Sequence, residues 1–358
     1  MSKKIILTIN PGSTSTKIAL YSSNDVVFLK NIKHTSEELD KFEKICDQYE
    51  FRKDIIVKEL IFAHIDINTI QAIVARGGLV KPIPSGVYEV NERLKEDLKA
   101  GIQGQHASNL GGLIADDLIK QIPGAKAYIA DPVVVDELDP IARISGHPNF
   151  QRFSIFHALN QKAIARMHAL AIGKIYEEMN LIVVHLGGGV SVGAHKNGRV
   201  IDVNQALDGE GPFSPERSGT LPAGDLVKLC FSGQYKEKEI LKMITGKGGF
   251  VAYLGTNSAY EVEQKANAGE ADAIMIQEAM AYQVSKEIGA MCAVLEGKVD
   301  AILLTGGIAY NKTFVNYVKS KVGHIATVGV YPGEDEMRSL AMNGLRVLEG
   351  DTELRVYE

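Results

Sequence analysis

Three short stretches of the chain gather groups that bind anions. Residues 10–17, Asn-Pro-Gly-Ser-Thr-Ser-Thr-Lys, set a glycine able to turn tightly against a ligand beside four hydroxyls and one lysine charge. Ser13, Ser15 and Lys17 are therefore candidate contacts for a phosphate chain, and Asn10 offers a neutral amide that can hold a metal-bound water. Residues 185–191, His-Leu-Gly-Gly-Gly-Val-Ser, contain three successive glycines, which weaken a strand and argue for bare backbone against a ligand at Gly187, Gly188 and Gly189. The third stretch, Thr305-Gly306-Gly307-Ile308, lets the base and ribose of a nucleotide lie over Gly306 and Gly307. None carries the Gly-Lys-Ser/Thr ending of a Walker A loop, and none is a GxGxxG fingerprint. Each turn alone is a weak signal, but three at strand ends of one chain predict a phosphate-binding cleft.

Other polar and charged residues of the chain fit phosphoryl transfer, in which two anions meet and the protein must supply positive charge and positioning. Arg76, in Ala-Arg-Gly-Gly, and Arg217, in Pro-Glu-Arg-Ser-Gly, can fork onto a carboxylate or onto the equatorial oxygens of a moving phosphoryl group. His157 opens an amphipathic stretch, and its ring can donate to that group in the transition state. Asp131 follows the apolar run Ala-Tyr-Ile-Ala, which places it at a strand end facing a cleft. His106 is either a cleft residue or a cap on the helix that follows it.

The elements that carry these residues alternate between strand and helix. Residues 4–29 and 181–203 share one order of parts: an apolar run, a glycine-bearing turn, a second strand, a further turn and a third strand. Two copies of such a unit predict two related domains. Helical periodicity appears over 106–122 (Leu110, Leu113, Ile114, Leu118), over 156–179 (Leu159, Ala163, Met167, Leu170) and over 273–295 (Ile276, Met280, Val284, Ile288, Met291, Leu295). The apolar stripes are core packing, and a further strand at 301–307 leads into a helix over 308–319. This alternation predicts an α/β fold. The chain has 358 residues, 45% hydrophobic and 23% charged, too long for a single core and ordinary for a globular protein. A net charge of −5 gives no basic surface for nucleic acid. Three scattered cysteines form no disulfide framework or metal motif. With no signal peptide and no apolar run of about 18 residues, a cytoplasmic location away from membranes is expected.

The sequence resembles the acetate/butyrate kinase (acetokinase) family of the actin-like ATPase superfamily. The resemblance runs in order through LTINPGSTSTK (7–17), VARGG (74–78), DPVVVDEL (131–138), FSIFHALNQKAIAR (153–166), HLGGGVSVGAH (185–195), LDGEGPFSPERSGTLPAGDL (207–226) and LLTGGIAYN (303–311), and so covers nearly the whole chain. Glycine at Gly188, where acetate kinases carry asparagine, the Pro-Glu-Arg-Ser-Gly stretch and the shorter chain resemble the butyrate kinase branch.

That resemblance implies two duplicated actin-like (ribonuclease H-like) domains with a nucleotide cleft between them, 1–147 plus 332–358 and 148–331. It implies ATP-dependent phosphorylation of butyrate to butyryl phosphate by direct in-line transfer, reversible and open to the ATP-forming direction. The alternatives are a kinase for isobutyrate, propionate or acetate, and, in another class, a non-catalytic nucleotide-binding regulator. Arg76, Asp131, His157 and Arg217 take the catalytic roles, with Asp131 polarising the system or orienting carboxylate and metal, and His185 matches a histidine near the phosphates. Mg²⁺ is implied as cofactor, held by Asn10 and by an acid in Tyr-Pro-Gly-Glu-Asp-Glu (331–336), for which Glu334 and Glu336 are the candidates and Asp335 a third. The expected partners are ATP or ADP, a short-chain carboxylate or its acyl phosphate, and a second copy of the chain in a homodimer or higher homo-oligomer, with neither nucleic acid nor membrane.

Overall fold

Two sheets organise the chain, and each is built from the same sequence of pairings. A computed structural model describes residues 3–358. The chain divides into two compact units, Met1–Val135 with Asp335–Glu358, and Asp136–Glu334. The divisions thus fall at 135/136 and 334/335, where the sequence suggested 147/148 and 331/332.

The first unit contains β1 (Ile5–Pro11), β2 (Ser15–Ser22), β3 (Asp25–Lys33), β4 (Ala72–Arg76), β5 (Val87–Glu89) and β6 (Lys126–Ala130). The sheet order is β5-β6-β4-β1-β2-β3, with the short strand Leu354–Arg355 outside β5. β1 to β3 form an antiparallel meander, and β4 and β6 extend it in parallel from β1. Parallel neighbours need crossovers, which here are helices. Helix Tyr49–Phe62 lies between β3 and β4, and helix Asn109–Ile119 lies between β5 and β6. Leu110, Leu113, Ile114 and Leu118 of the latter are buried, as their spacing required. The C-terminal helix Glu336–Glu349 packs on β1 and β4. With helices on it, β1 is buried from Ile6 to Pro11, which explains its nearly continuous apolar run.

The second unit contains β7 (Asn180–Leu186), β8 (Val190–Lys196), β9 (Arg199–Val203), β10 (Ala301–Gly306) and β11 (Val328–Pro332), in the order β11-β10-β7-β8-β9. Again a three-strand antiparallel meander is extended by two parallel strands. The long helix Ala271–Val294 buries Met280, Val284, Ile288 and Met291. The expected helix at 308–319 is a short 3-10 turn, Gly307–Tyr310, followed by helix Lys312–Val322.

One stripe is displaced. In helix Ala158–Ala171, Met167 is 44% and Leu170 80% exposed, while Asn160, Gln161 and Lys162 are buried. Leu159 is buried as expected, but periodicity misplaced the rest of the face because these three polar side chains find partners inside: His185 for Asn160, Ser191 and His195 for Gln161, and Glu137 for Lys162.

Candidate active site

In the first unit the anion-binding stretch is the hairpin between β1 and β2. Gly12 N–H donates to the Ser15 carbonyl at 2.7 Å and closes the turn. Ser13 and Lys17 are exposed, and Ser15 is half-buried. Beneath the turn lies Arg52, 1% exposed. Its Nη1 donates to the carbonyls of Gly12 (2.8 Å) and Ser15 (3.1 Å) and to Thr16 Oγ1 (3.1 Å), and its Nη2 donates to the Ser13 carbonyl (3.2 Å). Gln48 Oε1 accepts from its Nε and Nη2. Every one of these acceptors is neutral, and burial pushes the Arg52 guanidinium down to about 10. With three carbonyls drawn toward Arg52, the turn is locked in one shape. Sequence reasoning missed this residue. The available signal was an arginine four and eight positions before Ile56 and Leu60, on the face those two bury.

Asn10, at the end of β1, donates through Nδ2 to Glu336 Oε2 at 2.5 Å. The other carboxylate oxygen of Glu336 lies 3.1 Å from Arg76 Nη1, at the end of β4. Asn10 Oδ1 is buried without a hydrogen-bond partner. The three adjacent acids separate clearly: Asp335 caps its helix by accepting from Arg338 N–H at 2.9 Å, and Glu334 Oε1 lies 3.1 Å from His185 Nε2 in the second unit. Only Glu336 reaches Asn10 among these three. The orphaned amide oxygen, held in place by the Glu336 carboxylate on the other side of the amide, is a hard donor that fits a water of a hard divalent cation that keeps most of its waters.

Asp131, just past β6, has φ of 37°, in the left-handed region. Its Oδ1 accepts from Ser85 Oγ at 2.6 Å and Gly86 N–H at 2.9 Å, which fixes the carboxylate's orientation. His106 is exposed and folds back on its own chain: its Nδ1 accepts from Ser108 N–H at 3.2 Å and meets Ser108 Oγ at 2.8 Å, just ahead of helix Asn109–Ile119.

In the second unit the equivalent turn, Gly187 to Gly189, joins β7 to β8, with Gly187 N–H donating to the Gly189 carbonyl at 3.0 Å. β7 delivers His185, and His157 precedes helix Ala158–Ala171. Their rings stack, with centroids 3.7 Å apart and planes within 9°. His157 Nδ1 meets Ser191 Oγ at 2.9 Å, and His185 Nδ1 meets Asn160 Oδ1 at 2.9 Å. Arg217 Nη1 donates to the Ala206 carbonyl at 2.6 Å, and its backbone N–H donates to Ser214 Oγ, which in turn donates to the Gly188 carbonyl at 2.6 Å. This ties the arginine's loop to the glycine turn. Arg217 Nε is buried without a partner, and burial lowers the guanidinium's pKa. A Cβ on Gly189 would overlap Arg217 Nη1 and crowd His157 Cε1, so that glycine makes room for the arginine. Gly188 has space for a side chain, its nearest neighbour being Glu216 Oε1 at 3.8 Å. Gly306, with φ of 92°, must be bare because the Leu186 backbone lies against it, whereas Gly307 faces open space.

Each unit thus carries an antiparallel meander extended by two parallel strands, with a glycine turn at its first hairpin and an arginine among its polar residues. That architecture defines an actin-like, ribonuclease H-like fold. Residues 149–355 match the acetokinase family, and the chain belongs to that family. It is 58% identical over 353 residues to butyrate kinase 2 of Clostridium acetobutylicum, covering 99% of both chains, and 56% identical to butyrate kinase 1 of the same organism, again covering 99% of both. The acetate kinase structure from Porphyromonas gingivalis has the same fold, with a TM-score of 0.80 at 19% identity, covering 96% of this chain and 100% of that one. Among the described residues no helix is long and apolar enough to cross a membrane.

Proposed function

We propose that this chain transfers the γ-phosphoryl group of ATP to butyrate, forming butyryl phosphate and ADP. Membership of the acetokinase family makes it a carboxylate kinase using ATP with a divalent metal, and its similarity at 58% and 56% identity to two butyrate kinases supports butyrate as the acid. The observation that carries the reading is Arg217. Among the described residues no carboxylate forms an ion pair with it, its Nε is unpartnered, and it lies against bare Gly189 beside the stacked His157 and His185. A desolvated guanidinium that no carboxylate pairs with directly, Glu216 acting on it only through space, is favoured to take up an anion.

In the transfer, a carboxylate oxygen attacks the γ-phosphorus as the bond to the β,γ-bridging oxygen breaks and ADP leaves with those electrons. The carboxylate is already ionised at neutral pH, so no general base is needed. Arg76 and Arg217 bind the equatorial oxygens, and His157 donates to the moving group. Asp131, its carboxylate oriented by Ser85 and Gly86, polarises the system or orients the substrate carboxylate and metal. Ser13, Ser15, Lys17, His185 and the turn at Gly187–Gly189 contact the phosphates, and Gly306 and Gly307 lie under the nucleoside. Mg²⁺ would be the metal, with Asn10 and Glu336 the residues that would hold it or its waters, and it would supply neutralisation of phosphate charge. The resemblance also supports a homodimer or higher homo-oligomer, which light scattering on the purified chain would test.

The deciding experiment traps acyl phosphate with hydroxylamine after incubation with ATP, Mg²⁺ and acetate, propionate, butyrate, isobutyrate or valerate. Highest kcat/KM with butyrate is expected. Preference for another acid changes the substrate, a distinction worth only about 1–3 kcal/mol per methylene. No product from any acid despite ATP binding would overturn the reading.

A further inference from the structure

A continuous chain of hydrogen bonds runs through the interior of the second unit to His157. Tyr176 OH meets His195 Nδ1 at 2.7 Å, His195 Nε2 meets Gln161 Oε1 at 2.9 Å, and Gln161 Nε2 reaches Ser191 Oγ at 2.8 Å and the Ser191 carbonyl at 3.1 Å. Ser191 Oγ then meets His157 Nδ1 at 2.9 Å. Gln161, Ser191 and His195 are all fully buried, out of reach of bulk solvent.

The direction of the Gln161 bonds follows from one group that can only accept. The Ser191 carbonyl has no proton to give, so the Gln161 atom facing it must be the NH₂ group, which fixes the amide's orientation. Gln161 Oε1 therefore accepts, and the proton on that bond belongs to His195 Nε2. Burial, reinforced by the charges of Lys162 and Arg166, holds His195 well below the ordinary histidine range, so it is neutral and its Nδ1 accepts from Tyr176. Ser191 Oγ already accepts from Gln161. Among the described residues, the only acceptor within reach of its hydroxyl hydrogen is His157 Nδ1.

We propose that Ser191 and Gln161 are positioning residues that fix His157 as the tautomer protonated on Nε2, so that its ring offers an N–H donor to the transferred phosphoryl group. The part about phosphoryl transfer rests on the function proposed above; the tautomer itself does not. Without this chain, neutral imidazole divides between two tautomers, and the one with a lone pair on Nε2 repels a phosphoryl oxygen. Lys162 and Arg166 lie close enough to the chain for their charges to act on His195.

The test uses the full chain labelled with ¹⁵N-histidine. Long-range ¹H–¹⁵N spectra distinguish protonated from lone-pair ring nitrogens, and the His157 signals are those lost in His157→Gln. The wild type is expected to show Nε2–H with a lone pair on Nδ1. Ser191→Ala and Gln161→Met are expected to give mixed tautomers. Their kcat should fall about fivefold to tenfold, less than the about 10²–10³-fold cost of deleting a transition-state donor outright. The KM values for ATP and the acid should stay within about twofold, because binding is untouched. Ser191→Thr keeps the hydroxyl and is expected to keep the single tautomer. A wild-type His157 that is protonated on Nδ1 or already mixed overturns the proposal, as does an unchanged tautomer and kcat in Ser191→Ala. If one variant does not fold, the wild-type spectrum and the other variant still decide. Absence of acyl phosphate with the expected tautomer pattern would refute the function and leave the hydrogen-bond assignment standing.

Discussion

Asn10 and Glu336 stand 326 positions apart, yet the Asn10 amide nitrogen donates to a Glu336 carboxylate oxygen at 2.5 Å. That one bond orients the amide, because a nitrogen turned toward Glu336 leaves the oxygen turned away, buried and unpartnered. A buried acceptor left unpaired is costly, and a metal-bound water or the metal itself would satisfy it.

Removing either partner should therefore weaken metal use. Glu336→Gln and Asn10→Ala are expected to raise the Mg²⁺ concentration for half-maximal activity by about tenfold or more, typical of losing a ligand or its support. Glu334→Gln, whose carboxylate faces His185, should leave that midpoint within about twofold. Metal titrations of initial rate, with isothermal titration of Mn²⁺, would check this. Equal shifts in all three variants would contradict the assignment to Glu336.

The glycines of the second turn should not be equivalent. Gly189→Ala drives its Cβ into Arg217 and His157, and kcat is expected to fall about 10²-fold or more as the guanidinium moves. Gly188→Ala, with 3.8 Å to its nearest neighbour, should cost less than about threefold. Steady-state kinetics of the two variants side by side tests the difference.

Arg52→Met removes the donors to the Gly12, Ser13 and Ser15 carbonyls while filling similar space. Leaving the Gly12 and Ser13 carbonyls without this donor, while Ser15 keeps the Gly12 N–H, is expected to cost about 2 kcal/mol of stability, read from urea unfolding. The KM for ATP should rise as well, since the hairpin loses its fixed shape. Arg52→Lys should not restore either property, because a single ammonium lacks the planar fork.

Two buried histidines should make the fold sensitive to acid. Burial lowers His195 well below 6.5, and burial with the Arg52 charge lowers His34. The unfolded chain takes up a proton at each near its ordinary value, whereas the folded chain does so only at lower pH. Stability contributed by keeping them neutral is thus present above about pH 6.5 and lost as pH falls below it, by up to about 1.4 kcal/mol per pH unit for each histidine. Urea midpoints between about pH 7.5 and 5.5 should fall, and His34→Gln should flatten the slope by about one proton.

Much of the architecture could be read locally. The hairpins at Asn10–Lys17 and His185–Ser191 announced themselves through turn glycines between apolar runs, and helix Asn109–Ile119 through the spacing of its leucines. Such features depend on neighbours within a few positions, so sequence order carries them. Arg76, Asp131, His157 and Arg217 were reached by residue type and motif resemblance.

Arg52, Gln161 and Ser191 were not. Their importance comes from burial beside polar partners, and helix Ala158–Ala171 shows why periodicity misleads there: it buries Asn160, Gln161 and Lys162 while Leu170 is 80% exposed. A polar side chain is stable inside only where a partner already waits, and those partners come from separate strands and loops. The same holds for the acids at 334–336. Adjacent in sequence and alike in charge, they are told apart only by what each meets: His185, an Arg338 backbone N–H, and the Asn10–Arg76 pair. Residue type and spacing fix which chemistry is available. Which group is held neutral, paired or left with an open valence depends on distances between residues far apart in the chain, and those exist only once it has folded.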